Sequence, residues 1–293
     1  MNLEISEYNR FALVREMLET VDVVRSLPTR RIGEFSLSTA APAFLVGEGS
    51  SQIFPGRHAV YSSLLRGDPN PPRTESAHEA TSFDLSDNAV WVASNSGKTA
   101  ECVQLIRTLR KSGHKGNILG IAGDSSAPVA TESDDAYILT CGAEQAVAAT
   151  KSVVEQALVY DLLFRRAAGR PGLNLEALAS DMQAALEASI PESLVHRIAQ
   201  APTLYFAGRN NGVAEELALK ANEIVRARSD FLSGTYAVHG IEEVMDPRDV
   251  LLWIDPPADY EDKFRDVLEK GVGLTIIAVA MRKTPFPTII VPA

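Results

Sequence analysis

AVWVASNSGKTAECVQLIRTLRKSG, Ala89–Gly113, is the stretch whose reading organises the chain. Ala89 to Ala93 is a continuous apolar run of strand length. Val103, Leu105, Ile106 and Leu109 then recur at the spacing of an amphipathic helix. Between them stand Ser94, Asn95, Ser96, Gly97, Lys98 and Thr99. A strand that ends in small hydroxyl residues at a helix start is a place to hold an anion. The first-turn N–H groups have no helical partner, the helix dipole favours negative charge, and the hydroxyls add donors. The same residue types serve equally as plain N-caps, so both readings stay open at this point.

Working outward, AFLVGEGSS predicts a strand over Ala43–Val46 that turns at Gly47 and Gly49 into Ser50 and Ser51, with Glu48 and Gln52 beside the turn. A helix is expected from about Arg57 to Leu65, and the link DPNPPR is too proline-rich for regular structure. Downstream, NILGIAG (Asn117–Gly123) and AYILTCG (Ala136–Gly142) read as strands. DSSAPVATESD lies between them as a loop with at most one short helix, and a long helical pattern runs from Gln145 to Ala168. Near the start, Leu13, Val14, Met17, Leu18, Val21 and Val24 form a helical stripe that Pro28 ends. Near-continuous apolar strands alternating with helices indicate a parallel sheet covered on both faces.

GRPGLNLE marks a boundary, and a helical stretch to about Gln200 leads into a second series of strands: Thr203–Gly208, Asp249–Asp255, Leu274–Ala280 and Thr288–Ala293. APTLYFAGRNN at Ala201 answers APAFLVGEGSS at Ala41. Ala43 to Ala89 and Thr203 to Asp249 are both separations of 46 residues. The two series are copies of one unit. The expected fold class is therefore α/β, two doubly wound parallel-sheet domains in tandem. The divisions are an N-terminal helix over 1–30, a first domain over 31–170 with the anion loops, and a second over 171–293. The copies differ where ligands bind in such sheets, beyond the carboxyl ends of the strands. The first has SNSGKT after its second strand; the second has DPPADYED, acidic and proline-broken.

The bulk properties bound the function. The chain has 293 residues, 45% of them hydrophobic and 23% charged, with a net charge of −10 and no basic run, which argues against a broad nucleic-acid surface. No apolar run has the length of a membrane span, and the opening MNLEISEYNRFALVREMLET is not patterned as a signal peptide. Two cysteines and five histidines lack metal-ligand spacing. A cytoplasmic protein without metal, other cofactor or membrane partner is the expectation.

SNSGKTAECVQLIRTLRKSG, GDSSAPVATESDDAYIL and GAEQAVAATKSVVEQALVYDLL resemble the sugar isomerase (SIS) domain family. GRNNGVAEELALKANEIVRARSDFLSGTYAVHG resembles that family's second domain in the isomerising half of glucosamine-6-phosphate synthase and in stand-alone isomerases, deaminases and deglycases. The resemblance implies a flavodoxin-like fold and a homodimer whose site is shared between subunits. It implies a sugar-phosphate substrate whose phosphate sits on Ser50, Ser51, Ser94, Asn95, Ser96 and Thr99, with Gly49 and Gln52 among the anion- and sugar-binding residues. Glu48 and Gln52 are unusual for a phosphate cradle and keep another anion in play. By position it also implies Glu223 as the catalytic base and His239 as the ring-opening residue. Periodicity by itself says less of Glu223. It puts Ala214, Leu217, Ala218, Ala221 and Val225 on a buried stripe and Glu223 on the opposite face beside Glu216 and Lys220, the ordinary place of a solvated ion pair.

The chemistry fits these residue types. Moving a carbonyl between C1 and C2 takes a proton off one carbon and returns it to the next, which one held carboxylate does through a cis-enediol. A histidine near neutrality passes the ring-opening proton. Departures from the synthase pattern are Val238 where it has lysine, Ala149 in VAAT where it has serine, and Lys98 where glutamate is frequent. No tail lysine for a Schiff base stands before the chain's end at Ala293. These speak against aminotransfer. The expected activity is aldose–ketose isomerisation of a sugar bearing a 6-phosphate or another C6 anion such as sulfonate. The alternatives are an amino-sugar-phosphate deaminase or fructosamine-phosphate deglycase and, beyond enzymes, a sugar-phosphate-binding regulator.

Overall fold

Each of the apolar runs forms a strand, and every strand pairs parallel to its neighbours. The structure is a computed structural model that describes residues 6–35 and 42–292. These divide into two compact units, the boundary falling between Ala179 and Ser180. The first contains α1 (Ser6–Asn9), α2 (Ala12–Arg25), α3 (Thr29–Ile32), β1 (Ala43–Gly47), α4 (Ser50–Arg66), β2 (Arg73–Ser76), α5 (Ala77–Ala80), β3 (Ala89–Ser94), α6 (Ala100–Lys111), β4 (Ile118–Ala122), α7 (Pro128–Thr131), β5 (Asp135–Ile138) and α8 (Lys151–Ala167). After α9 (Leu175–Glu187), which carries the boundary, come α10 (Glu192–Ala199), β6 (Thr203–Gly208), α11 (Val213–Lys220), β7 (Arg228–Ser233), β8 (Val250–Ile254), α12 (Glu261–Phe264), β9 (Thr275–Ala280) and β10 (Thr288–Ile290).

The two sheets have one topology. The first runs β2-β1-β3-β4-β5 and the second, read from its β7 edge, β7-β6-β8-β9-β10. Both are the flavodoxin-like order, in which the chain reverses direction across the sheet between its first and third strands. In the first unit Phe44, Val46, Val90, Val92 and Ile118 pack with Ala77 and Ala80 of α5 and with Leu105, Ile106 and Leu109 of α6. Trp91, next in line on β3, stacks instead on Phe164 of α8 at 5.1 Å between ring centroids. In the second unit Leu251, Trp253 and Ile276 pack with Phe264 and Leu268, while Leu204, Phe206, Val250 and Leu252 pack with Ala214 and Ala218 of α11. Burying each such side chain stabilises by about 1.5–3 kcal/mol, so each sheet has a core of its own.

Several elements differ from the sequence reading, each for a local reason. β2 and β7 were not expected. They are the polar edge strands RTES and RSDFLS, and Arg73, assigned above to the irregular DPNPPR link, opens β2. Short charged edge strands lack the apolar run by which central strands are known. α4 starts at Ser50 rather than Arg57 and carries Pro55 within it. β5 stops at Ile138 because the N–H groups of Thr140 and Cys141 turn to the Glu155 carboxylate, at 2.8 and 2.7 Å. α8 begins at Lys151 rather than Gln145 because Glu144 caps it. The stretch up to Gln200 is two helices, α9 and α10, interrupted before Pro191. The last strand ends at Ile290, and Ala293, like Ala41, lies outside the described residues.

The helical wheel drawn above for Ala214–Val225 also needs correction. α11 ends at Lys220, and Ala221–Val225 is a π-helical turn, which winds wider than 3.6 residues. The phase slips there, and Val225 is 67% exposed; within α11 itself Leu217 is 38% exposed and Glu216, expected on the solvent side, is buried.

Candidate functional site

β3 delivers the hydroxyl loop. Ser94 closes the strand and is buried. Its Oγ accepts the Gly97 N–H at 3.1 Å, lies 2.7 Å from Thr99 Oγ1 and 3.5 Å from Ser96 Oγ. Ser96 Oγ accepts the Lys98 N–H at 3.2 Å. Thr99 is the N-cap residue of α6 but makes no side-chain bond to that helix. Three hydroxyls therefore meet where the α6 dipole is positive. The turn depends on Gly97, at φ +66°, because a Cβ there would stand 2.5 Å from that of Ala127. Lys98 Nζ is 3.5 Å from Asp124 Oδ2. Hydrogen bonds from the Ser126 hydroxyl and N–H hold the Asp124 carboxyl below its usual range, and the Lys98 charge adds to this.

β1 delivers the second loop. Gly47 lets the start of α4 approach closely, since a Cβ would lie 2.8 Å from the Ser51 carbonyl carbon. Gly49 turns the chain at φ +53°, and Ser50 and Ser51 open α4. The Ser51 N–H donates to Glu48 O at 3.2 Å and that of Gln52 to Gly49 O at 3.0 Å. Gln52 is buried, and its amide donates to Thr74 Oγ1 of β2 at 3.4 Å. Glu48 Oε1 accepts the His78 N–H at 2.9 Å. The side chains of Glu48 and Gln52 thus tie this loop to β2 and α5. β1 and β3 pair through Val46 and Val92, so both loops leave the carboxyl ends of adjacent strands where the chain direction across the sheet reverses.

Three carboxylates that the sequence did not single out hold Asn95 and the segment leading into α8. Asn95 Nδ2 donates to Glu144 Oε2 at 3.0 Å. Glu144 Oε1 accepts the N–H groups of Thr150 and Lys151, both at 2.7 Å, and Ser152 Oγ also donates to this carboxylate. A carboxylate thus fills the N-terminus of α8. Glu16 of α2 accepts the N–H groups of Gln145 and Ala146, at 2.5 and 3.2 Å, and Glu19 pairs with the buried Lys151 at 2.7 Å. Burial and the charge of Glu155 push the Cys141 thiol up to about 12, so it is an inert core group.

In the second unit Glu223 sits in the π-helical turn, its side chain 31% exposed. Lys220 Nζ lies 3.3 Å from Glu223 Oε2 and 3.0 Å from Glu216 Oε1, bridging two carboxylates. The Ser229 N–H donates to Asn222 Oδ1 at 3.2 Å and Ser229 Oγ to Ala218 O at 2.6 Å, which ties the turn to β7. His239 follows the 3₁₀ turn Tyr236–Val238, in which Ala237 and Val238 are buried. Its exposed imidazole places Nε2 at 3.2 Å from Lys263 Nζ of α12. The expected anion ligands Ser94, Ser96 and Thr99 thus form one cluster. Gly49, Ser50, Ser51 and Gln52 lie on the neighbouring loop, Asn95 faces Glu144, Glu223 joins Lys220 and Glu216, and His239 joins Lys263. Among the described residues no group of three or more His, Cys, Asp or Glu is placed to hold a metal ion. No helix among them is long and apolar enough to cross a membrane.

Comparison with known proteins places this arrangement. A family model, the SIS domain, matches residues 73–166, from β2 into α8. Glutamine–fructose-6-phosphate aminotransferase (isomerizing) of Idiomarina loihiensis is 30% identical over 190 residues, 60% of this chain and 31% of that one. The chain thus spans about a third of that curated relative. Among solved structures, tagatose-6-phosphate ketose/aldose isomerase from Escherichia coli superposes with a TM-score of 0.79 at 16% identity, covering 97% of this chain and 85% of the other. Glucosamine-6-phosphate deaminase from Thermotoga maritima gives 0.73 at 19%, covering 91% and 83%. At these identities the structures share the fold. Residues 73–166 thus match the SIS domain, and the strand order of that unit recurs in the second.

Proposed function

We propose that the protein is an aldose–ketose isomerase for a sugar carrying a phosphate or another anion, such as sulfonate, at C6. The observation that carries this reading is the meeting of Ser94, Ser96 and Thr99 hydroxyls at the start of α6. They supply neutral donors for a tetrahedral anion. In this reading the two units are doubly wound domains in tandem, functioning in a homodimer. Gly49, Ser50, Ser51, Gln52 and Asn95 complete the substrate contacts, and remote anion binding aligns the reacting carbons.

His239 takes the O1 hydroxyl proton of the cyclic sugar as the carbonyl forms at C1. The electron pair of the C1–O5 bond goes to O5, and His239 returns the proton there. Glu223 then removes the C2 proton to give a cis-enediol and delivers it to C1, while the O2 proton moves to O1 to leave a ketone at C2. Lys220, 3.3 Å from Glu223 Oε2, holds that carboxylate in place. Glu223→Gln is expected to lower deuterium incorporation at C1 and C2 by at least about 10²-fold, read by NMR across a panel of sugar phosphates and sulfo-sugars in deuterated water. Full exchange in that variant on its best substrate removes Glu223 as the base. Ammonia release from an amino-sugar phosphate in the same panel marks a deaminase instead.

A further inference from the structure

His239 is held between two rigid supports. Ala237 and Val238 before it are buried in the second unit's core. After it, Gly240 turns at φ +111° with its N–H donating to Glu242 Oε2 at 2.5 Å. The partner of its imidazole, Lys263, stands on an element equally fixed. The next residue, Phe264, is fully buried and stacked on Trp253 with ring centroids 3.7 Å apart and planes 11° from parallel. Glu261 at the start of α12 accepts from Arg282 at 2.6 Å. Three acidic residues near the pair in sequence bond elsewhere: Glu261 with Arg282, Asp262 with Arg265 at 2.8 Å, and Glu242 with the Gly240 N–H.

Nζ and Nε2 at 3.2 Å put two basic groups in hydrogen-bond contact. A lysine ammonium donates and has no lone pair, so the imidazole nitrogen facing it accepts, and the ring hydrogen is then on Nδ1. We propose that Lys263 is a positioning residue that holds His239 as the Nδ1–H tautomer, with Nε2 presented as the lone-pair nitrogen. Resting on the ring-opening role proposed above, this makes Nε2 the atom that receives the O1 proton. The ammonium marks where that nitrogen's lone pair points until the sugar hydroxyl takes its place.

The tautomer is measurable without any substrate. Long-range ¹H–¹⁵N spectra of the full chain are expected to show His239 mainly as Nδ1–H. In Lys263→Met the Nε2–H form should rise to a large fraction, and Lys263→Arg should retain the wild-type pattern. A His239 pattern that is the same in Lys263→Met and wild type overturns the proposal. With the substrate that exchanges deuterium fastest, Lys263→Met is expected to slow exchange about tenfold and Lys263→Arg to restore most of it. Added to His239→Asn, the Met substitution should cost nothing further, since both remove one function. Additive losses in the double variant overturn the coupling. If His239→Asn leaves exchange intact, the ring-opening assignment fails, and the tautomer spectra alone then decide the role of Lys263.

Discussion

Ser94 shows how one side chain separates binding from folding. Its Oγ serves the Gly97 N–H, but that N–H also donates to the Ser94 backbone carbonyl at 2.9 Å. Ser94→Ala therefore leaves the buried Gly97 N–H paired, and its effect on stability is expected to be about 1 kcal/mol. A bound anion would lose a donor, so kcat/KM for the sugar phosphate should fall about tenfold, checked by steady-state kinetics beside a thermal melt. The residues of this cluster were legible because they are contiguous at a strand-to-helix junction. Glu144 was not: its donors come from Asn95, 49 residues earlier, and from the helix start six to eight residues later. Lys263 is 24 residues from His239, and only the docking of α12 reveals that they meet.

α4 and α8 pack along their lengths, and their contact includes a half-buried titratable group, His58, whose Nε2 lies 3.3 Å from Ser62 Oγ. Burial pushes the His58 imidazole below its ordinary value, opposed by the charge of Asp161 and reinforced by those of Arg66 and Arg165. The sign follows directly. Below about pH 6.5 the unfolded chain takes up a proton that the folded one resists, so His58 removes stability as the pH falls. Between about pH 7 and about pH 5, His58→Gln should therefore lose less in Tm than the wild type, as seen in melts at stepped pH. At this scale the central strands were legible as apolar runs. The edge strands β2 and β7, the Pro55-containing start of α4 and the π-helical turn under Glu223 were not, because each breaks the local rule that pattern reading relies on.

Across the whole molecule the duplication was the most legible feature, since equal spacing between matching apolar runs carries over into equal strand order. The copies part in chemistry. β3 ends in Ser94 and a hydroxyl cluster, whereas β8 leads into Asp255, held at φ +48° and paired with Arg209 at 3.2 Å. A carboxylate with its own guanidinium stands where the other copy has hydroxyls, and that contrast could be read from SNSGKT and DPPADYED. The two tryptophans of the chain are shared out between the sheets: Trp91 against Phe164 in the first, Trp253 against Phe264 in the second, both nearly inaccessible. Each indole is thus a native optical reporter for one copy. Trp253→Phe leaves fluorescence to follow the first sheet alone, and Trp91→Phe the second. Because each sheet is built on a core of its own, urea titrations of the two variants are expected to give different midpoints. Coincident midpoints would mean that the ancestral repeats melt as a single cooperative body.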